Sequence, residues 1–239
     1  MHTKKVKLID WKKKLKAIKK KGFIKTHRSG PTGIGKTLED LMGIKENNIP
    51  EPDGGNIELK SARKPQTSML TLFTKSPLPP GANSELLKRF GYTAKKGRLR
   101  LETSVKFGEF NTLKGEQGFK VGLDKTAKRI SLVAPNGDSV AYWNEDIIEQ
   151  HFKKAKKVLY VLADTEGKGK KEKFYFNEVL LLSGFSFDKF INLVEKGSII
   201  IDIRIGQYRD GKPHDHGTGF RIKPNDLDKC FNGKRIILH

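Results

Sequence analysis

Two short strings in this chain carry side chains suited to phosphate chemistry. The first runs from Pro52 and Asp53 to Glu58, Leu59 and Lys60, a PD…ExK pattern. Within a strand, residues two apart share a face, so Glu58 and Lys60 point one way while Ile57 and Leu59 enter a core. Asp53, upstream across Gly54 and Gly55, is expected to fold back beside Glu58. Two carboxylates that close repel unless a cation joins them, and an all-oxygen site with room for water suits magnesium. Phosphodiester hydrolysis uses such a site, because the metal polarises the phosphate and acidifies a water that Lys60 orients or stabilises as hydroxide. Taken alone, the string also fits a surface strand with a salt bridge.

The second string, GPTGIGKT at 30–37, satisfies G-x-x-x-x-G-K-[ST] in full. In a P-loop its amides would cradle phosphates, Lys36 would reach the terminal ones and Thr37 would hold magnesium. Ile199, Ile200, Ile201 and Asp202 even supply a Walker-B-like partner. The context argues the other way. A P-loop follows a buried apolar strand, whereas GFIKTHRS at 22–29 is short and charged, and no repeated βαβ pattern surrounds it.

The elements that must position these strings are mixed. A stripe of Ile9, Trp11, Leu15 and Ile18 predicts a helix over Ile9–Lys21 with lysines on its other sides. Gly30–Gly35 reads as a loop, and Thr37 as the start of a short helix to Met42 with Asp40 as a capping-box acid. Strands are expected at 56–62, 69–74, 98–105, 118–123, 129–134, 139–143, 198–205 and 235–238, and helices at 84–90, 145–154 and 187–195. The apolar run VLYVLAD at 158–164 reads as a strand buried on both faces, and Gly167–Lys173 as a mobile hairpin tip. The fold class is α/β in the sense of a mixed α+β sheet, without repeats or a clear linker.

Composition limits the partners. The 239 residues include 48 Lys+Arg against 27 Asp+Glu, a formal charge of +21 that fits a polyanion, since each phosphate met by Lys or Arg releases counterions. A single cysteine, Cys230, excludes an internal disulfide and a cysteine-built zinc site, and reads as a small core residue. With no signal-like apolar run and no segment able to span a bilayer, a cytoplasmic location is expected.

Three blocks taken together, TGIGKTLEDL at 32–41, the PD…ELK string, and LTLFTKSP at 70–77, resemble the MvaI/BcnI family of restriction endonucleases, relatives of the mismatch-repair nicking enzyme MutH. The likeness resumes at Val194, DIRIG at 202–206 and HDHGTGFRI at 214–222; residues 93–156 match least, and the MvaI branch is the nearer one. The resemblance implies a PD-(D/E)xK nuclease core with a second, DNA-recognition lobe. The catalytic lobe would take about 1–92 plus 157–196, and the recognition lobe parts of 93–156 and 197–239. It implies Asp53 and Glu58 as ligands of Mg2+, Lys60 as the catalytic lysine and Glu39 as a supporting helix glutamate. Gly33 and Gly35 would then serve a tight approach to that helix, and Lys36 a phosphate or a structural role.

The resemblance assigns recognition to Asp202, Arg204, His214, His216 and Arg221, and implies Thr74 and Lys75 at the DNA as well. Arginine suits guanine O6 and N7, a carboxylate accepts from cytosine N4, and histidine does either according to protonation. His214, Asp215 and His216 as a metal site, or Asp202 and Arg204 as a structural pair, are the alternatives. Within the family the BcnI branch, which accepts a central C or G, carries histidines where this chain has Thr74 and Gly219. The MvaI branch, which accepts a central A or T, has a threonine and a small residue, so the expected target resembles CC(A/T)GG. The resemblance further implies double-stranded DNA as partner, no nucleotide cofactor, a monomer, and a cognate methyltransferase in the same prokaryotic cell. A MutH-like nickase, a P-loop ATPase on nucleic acid and a non-catalytic DNA-binding protein are the rivals.

Overall fold

A computed structural model describes residues 8–44, 56–64, 68–94 and 97–239. In chain order the elements begin α1 (Leu8–Lys20), β1 (Ile24–Lys25), α2 (Gly33–Met42), β2 (Ile57–Arg63), β3 (Leu70–Thr74) and α3 (Ala82–Phe90). Next come β4 (Tyr92–Thr93), β5 (Leu99–Val105), β6 (Thr112–Leu113), β7 (Glu116–Gln117), β8 (Lys120–Asp124), β9 (Arg129–Val133) and β10 (Ser139–Asn144). After α4 (Glu145–Lys154) follow β11 (Lys157–Glu166), β12 (Lys173–Phe185), α5 (Phe187–Glu195) and β13 (Ile199–Gln207). The chain ends with β14 (Pro213–Asp215), β15 (Gly219–Ile222), a 3-10 turn at Pro224–Cys230, and β16 (Phe231–Leu238). The mixed α+β class expected from the sequence is the class observed.

The chain divides into two units. The first comprises Met1–Ser68, Phe152–Phe185 and Phe231–His239, and the second Met69–His151 and Ser186–Cys230. Residues 69–92 and 186–196 thus group with the second unit, unlike the lobe boundaries expected from the sequence.

In the first unit β2 runs parallel to β11, which pairs antiparallel with β12. The thirteen residues of β12 are long enough to take β1 and then β16 along the other edge. Ile57 and Leu59 of β2 join Leu159, Val161, Val179 and Leu181 on one face of this sheet. Trp11, Leu15 and Ile18 of α1 and Ile34, Leu38 and Met42 of α2 close over them. Each such side chain contributes roughly 1.5–3 kcal/mol by leaving water. Ile9 is not among them, being 59% exposed, while Leu8 packs on the core. At 100° per residue Ile9 lies on the far side of the helix from Trp11, and Leu8 completes the stripe.

The second unit is built on the sheet order β3-β15-β13-β5-β4, with β14 on β13, beside the meander β8-β9-β10. Along β13, Ile199, Ile201, Ile203 and Ile205 are fully buried. Strand alternation turns Asp202 and Arg204 to the opposite face. The core face packs through aromatic contacts, with the Phe220 ring 4.7 Å from that of Phe73 and 5.2 Å from that of Trp143. The buried indole of Trp143 donates to the Lys75 carbonyl at 2.9 Å, which fixes the end of β3. Cys230 is fully buried, as expected of a core residue, and burial pushes its thiol up to about 12. Among the described residues no helix is long and apolar enough to cross a membrane.

Candidate functional site

The residues singled out by the sequence fall into a cluster on β2 and α2 in the first unit and a polar sheet face in the second. On β2, Glu58 and Lys60 share the face opposite Ile57 and Leu59, and Lys60 Nζ lies 3.0 Å from Glu58 Oε1. Both side chains are about one-fifth exposed, so the pair is reachable by solvent yet held by its surroundings. The parallel register sets Glu58 beside Val158 and Lys60 beside Tyr160 of β11, both buried. Asp53 lies outside the described residues. Glu39 sits on α2, where a Cβ built on Gly35 would stand 3.9 Å from its Oε1 and 4.0 Å from Ser61 Oγ. Ser61 alternates to the α2 side of β2, so the structure places Glu39 on that side and Glu58 with Lys60 on the other.

The glycine string is organised by its own chain. α2 begins at Gly33 instead of Thr37, so the string crosses into the helix, and Thr37 lies inside it, fully buried. Its hydroxyl donates to the Gly33 carbonyl at 2.8 Å and accepts from the His27 amide at 2.9 Å. Fully buried, with its proton given to one part of the chain and a lone pair taken by another, this hydroxyl serves the fold of the loop. Asp40 lies near the C-terminal end of α2 and is no N-terminal capping acid; its carboxylate accepts from Lys36 at 2.7 Å and pairs with His27 Nδ1 at 2.9 Å, and these contacts lower its pKa, Lys36 most. A Cβ on Gly33 would come within 2.1 Å of the Arg28 carbonyl, so glycine is required there. At Gly35 the described atoms leave ordinary space.

Arg63, at the end of β2, holds the loop from outside. Its Nε and Nη2 donate to Glu172 at 2.7 and 2.8 Å, while Nη1 and Nη2 reach the Pro31 and Gly30 carbonyls, each at 3.2 Å. The strand ahead of this loop, β1, has two residues and runs antiparallel to β12. The parallel βα arrangement of a P-loop is therefore absent among the described residues.

In the second unit the polar sheet face centres on Asp202. Its Oδ2 is 2.8 Å from Arg221 Nη2 and 3.4 Å from Arg204 Nε, and its Oδ1 accepts from Ser104 at 3.1 Å. Asp202 is only 15% exposed, whereas Arg204 and Arg221 are 38% and 29% exposed. The Walker-B-like aspartate is thus a tether for two arginines. Arg204 Nη2 also donates to the Gly217 carbonyl at 3.4 Å. On β14 and beyond it, the His214 and His216 rings stand 4.2 Å apart, edge to face, with the exposed Tyr208 ring 4.4 Å from His214.

Asp215 is not free to join those histidines on a metal. It accepts from Ser76, Asn83 and the amides of Gly217 and Thr218, and so fastens the turn. Among the described residues no group of three His, Cys, Asp or Glu is arranged to hold a metal ion. Thr74 and Gly219 are direct partners in the β3–β15 register, and Gly219 is in turn opposite Asp202. The exposed Lys75 follows Thr74, its amide donating to the Thr218 carbonyl at 2.9 Å. The sequence reading missed Arg100, Glu102 and Ser104, which face outward along β5 while Leu101 and Val105 are buried. Their alternation was visible, but the pairing of β5 with β13 was not.

Comparison with known proteins shows the family and the fold. Residues 12–231 match the MvaI/BcnI restriction endonuclease family. Two solved structures align over the whole of this chain and of their own, at 30% identity. The restriction endonuclease MvaI in complex with cognate DNA substrate gives a TM-score of 0.82, and MvaI in the absence of DNA 0.62. No curated protein sequence matches. The chain belongs to the MvaI/BcnI restriction endonuclease family.

Proposed function

We propose that this chain is a Mg2+-dependent Type II restriction endonuclease. It cuts double-stranded DNA at a CC(A/T)GG-like site, as a monomer that works beside a cognate methyltransferase. The first unit holds the cutting centre and the second reads the bases. The observation that carries the reading is the Glu58–Lys60 pair, 3.0 Å apart on one face of β2 in a chain of this family.

The donor chemistry fits a hard divalent cation, because the groups offered are carboxylate oxygens without cysteine or histidine. Glu58 would hold the ion, with Asp53 supplying a second carboxylate. A bound magnesium supplies polarisation of the scissile phosphate and acidification of a water. Lys60 supplies a positive charge of its own, which orients that water or stabilises its hydroxide. Glu39, on α2, would be the helix glutamate that supports this metal centre. Arg204 and Arg221, steadied by Asp202, present guanidinium groups suited to guanine O6 and N7. His214 and His216 supply further donors, while Lys36 and Lys75 add charge for phosphates. Thr74 opposite Gly219 leaves the centre of the site without the histidine donors that would select C or G.

The test is plasmid DNA with magnesium and no nucleotide, followed by run-off mapping of the ends. Linear fragments cut at CC(A/T)GG support the proposal. Nicked circles alone would point to a MutH-like action, a need for ATP to the P-loop, and intact but shifted DNA to binding without catalysis.

A further inference from the structure

The polar face of the second unit holds two carboxylates, and they differ in what they have left to give. Asp202 is enclosed and already accepts from Ser104 and Arg221, with Arg204 beside it. Glu102 stands one row further along β5, directly opposite Arg204 in the antiparallel register. Directly opposite residues project from the same face with Cβ atoms roughly 5 Å apart. Yet the close contact of Glu102 is with Arg100 of its own strand, at 3.3 Å, and its side chain is 42% exposed. Exposed pairs of this kind hold their members weakly. Arg204 likewise reaches Asp202 and the Gly217 carbonyl only at 3.4 Å. A guanidinium and a carboxylate therefore stand side by side, each lightly engaged, on a face that also carries Asp202, Ser104 and Arg221.

That pairing matches one molecular pattern. In the major groove guanine offers two acceptors, O6 and N7, and cytosine offers one donor, its N4 amino group. We propose that Glu102 is a base-reading residue, which accepts from the N4 amino group of a cytosine adjoining the guanine read by Arg204. The Glu102 carboxylate leaves Arg100 for the base, and Arg100 is freed to meet a neighbouring phosphate. This inference rests on the base-reading role given above to the second unit, and does not depend on the cutting centre.

The experiment measures binding in calcium, so that no cleavage is required. The duplex carries the site mapped by run-off digestion, or the sequence selected from random duplexes if no cutting occurs. Each cytosine is replaced in turn by pyrimidin-2-one, which lacks the amino group, and binding is compared for the wild type, E102A and R100A. At one cytosine the wild type should lose about tenfold or more on losing the amino group, and E102A should lose nothing further there. E102A should bind non-specific DNA at least as tightly as the wild type, the freed Arg100 adding at most one phosphate contact to the salt dependence, which also shows that it folds. Equal losses in wild type and E102A at every cytosine would overturn the proposal. So would an R100A variant that reproduces E102A throughout, which is the result expected of a structural ion pair, or the absence of any preferred duplex.

Discussion

Replacing Thr37 by valine separates the two meanings of the glycine string. The substitution keeps the branched shape in a fully buried position and removes only the hydroxyl. The Gly33 carbonyl loses one of two donors, since a helix also supplies it the amide four residues on. The His27 amide loses the acceptor 2.9 Å away in a part-buried setting. Leaving such a donor unmade costs about 1–3 kcal/mol. For a chain of this size that lowers Tm by roughly 2–12 °C. The assay pairs thermal unfolding with single-turnover cleavage at a temperature where the variant is folded, with and without ATP. T37V should melt earlier yet cut within about twofold of the wild type, without nucleotide. T37S, which keeps the hydroxyl, should lose only the packing of one methyl, about 1 kcal/mol. A T37V protein as stable as the wild type but inactive would refute this reasoning, because the hydroxyl would then be serving a ligand and not the chain.

Other outcomes follow from the same geometry. E58Q and K60A should each lower single-turnover cleavage by at least about 10²-fold while binding in calcium stays within a few-fold; near-normal cutting by E58Q would remove Glu58 from the site. D202N should weaken preference at two base pairs, those read by Arg204 and Arg221, each by about 1–3 kcal/mol, where R204A or R221A alters one; competitive digestion of singly substituted sites shows which. A Cβ on Gly219 meets no described atom closer than 3.8 Å, so G219H combined with T74H should fold and move cutting from CC(A/T)GG toward CC(C/G)GG, measured on duplexes that differ only in the central pair. Burial raises the Cys230 thiol from 9.0 to about 12, so iodoacetamide should label it only after unfolding. Between those two values the native chain keeps a proton that the unfolded chain has released, so this group removes stability as pH rises, which urea titrations at pH 8 and 10 would register.

What could be read from the sequence depended on whether periodicity survived along each element. β13 was legible because Ile199, Ile201, Ile203 and Ile205 alternate without interruption with Asp202 and Arg204. The longest strand, β12, was not. Its register against β11 shifts so that Leu162 faces Glu178 and Ala163 faces Phe176, leaving Asn177 as an extra residue. The core side therefore passes from Phe174 and Phe176 to Val179 and Leu181, a change of phase that breaks both the alternation and any continuous apolar run. The start of α2 was hidden for a different reason. Gly33 reads as a turn residue, but its glycine answers the approach of the Arg28 carbonyl, which lies outside the helix. No local pattern distinguishes those two uses of glycine.

The site follows the same division between local and non-local information. Glu58 with Lys60, and Asp202 with Arg204, are two residues apart on one strand, so their shared faces were legible from spacing alone. Glu102 and Ser104 reach that second face only because β5 pairs with β13 about a hundred residues later, which spacing cannot show. Motif strings meet the same limit. The GKT string and the Walker-B-like aspartate satisfy their pattern, yet Thr37 and Asp202 are enclosed and already engaged by their own chain. Glu58 and Lys60 are engaged as well, but with each other and in reach of solvent. Opposite charges paired in that way can each exchange the partner for a ligand of the same sign, the carboxylate for a cation and the ammonium for a phosphate or hydroxide. An enclosed hydroxyl has no such exchange open to it, and that difference, not the match to a pattern, selects between the two strings.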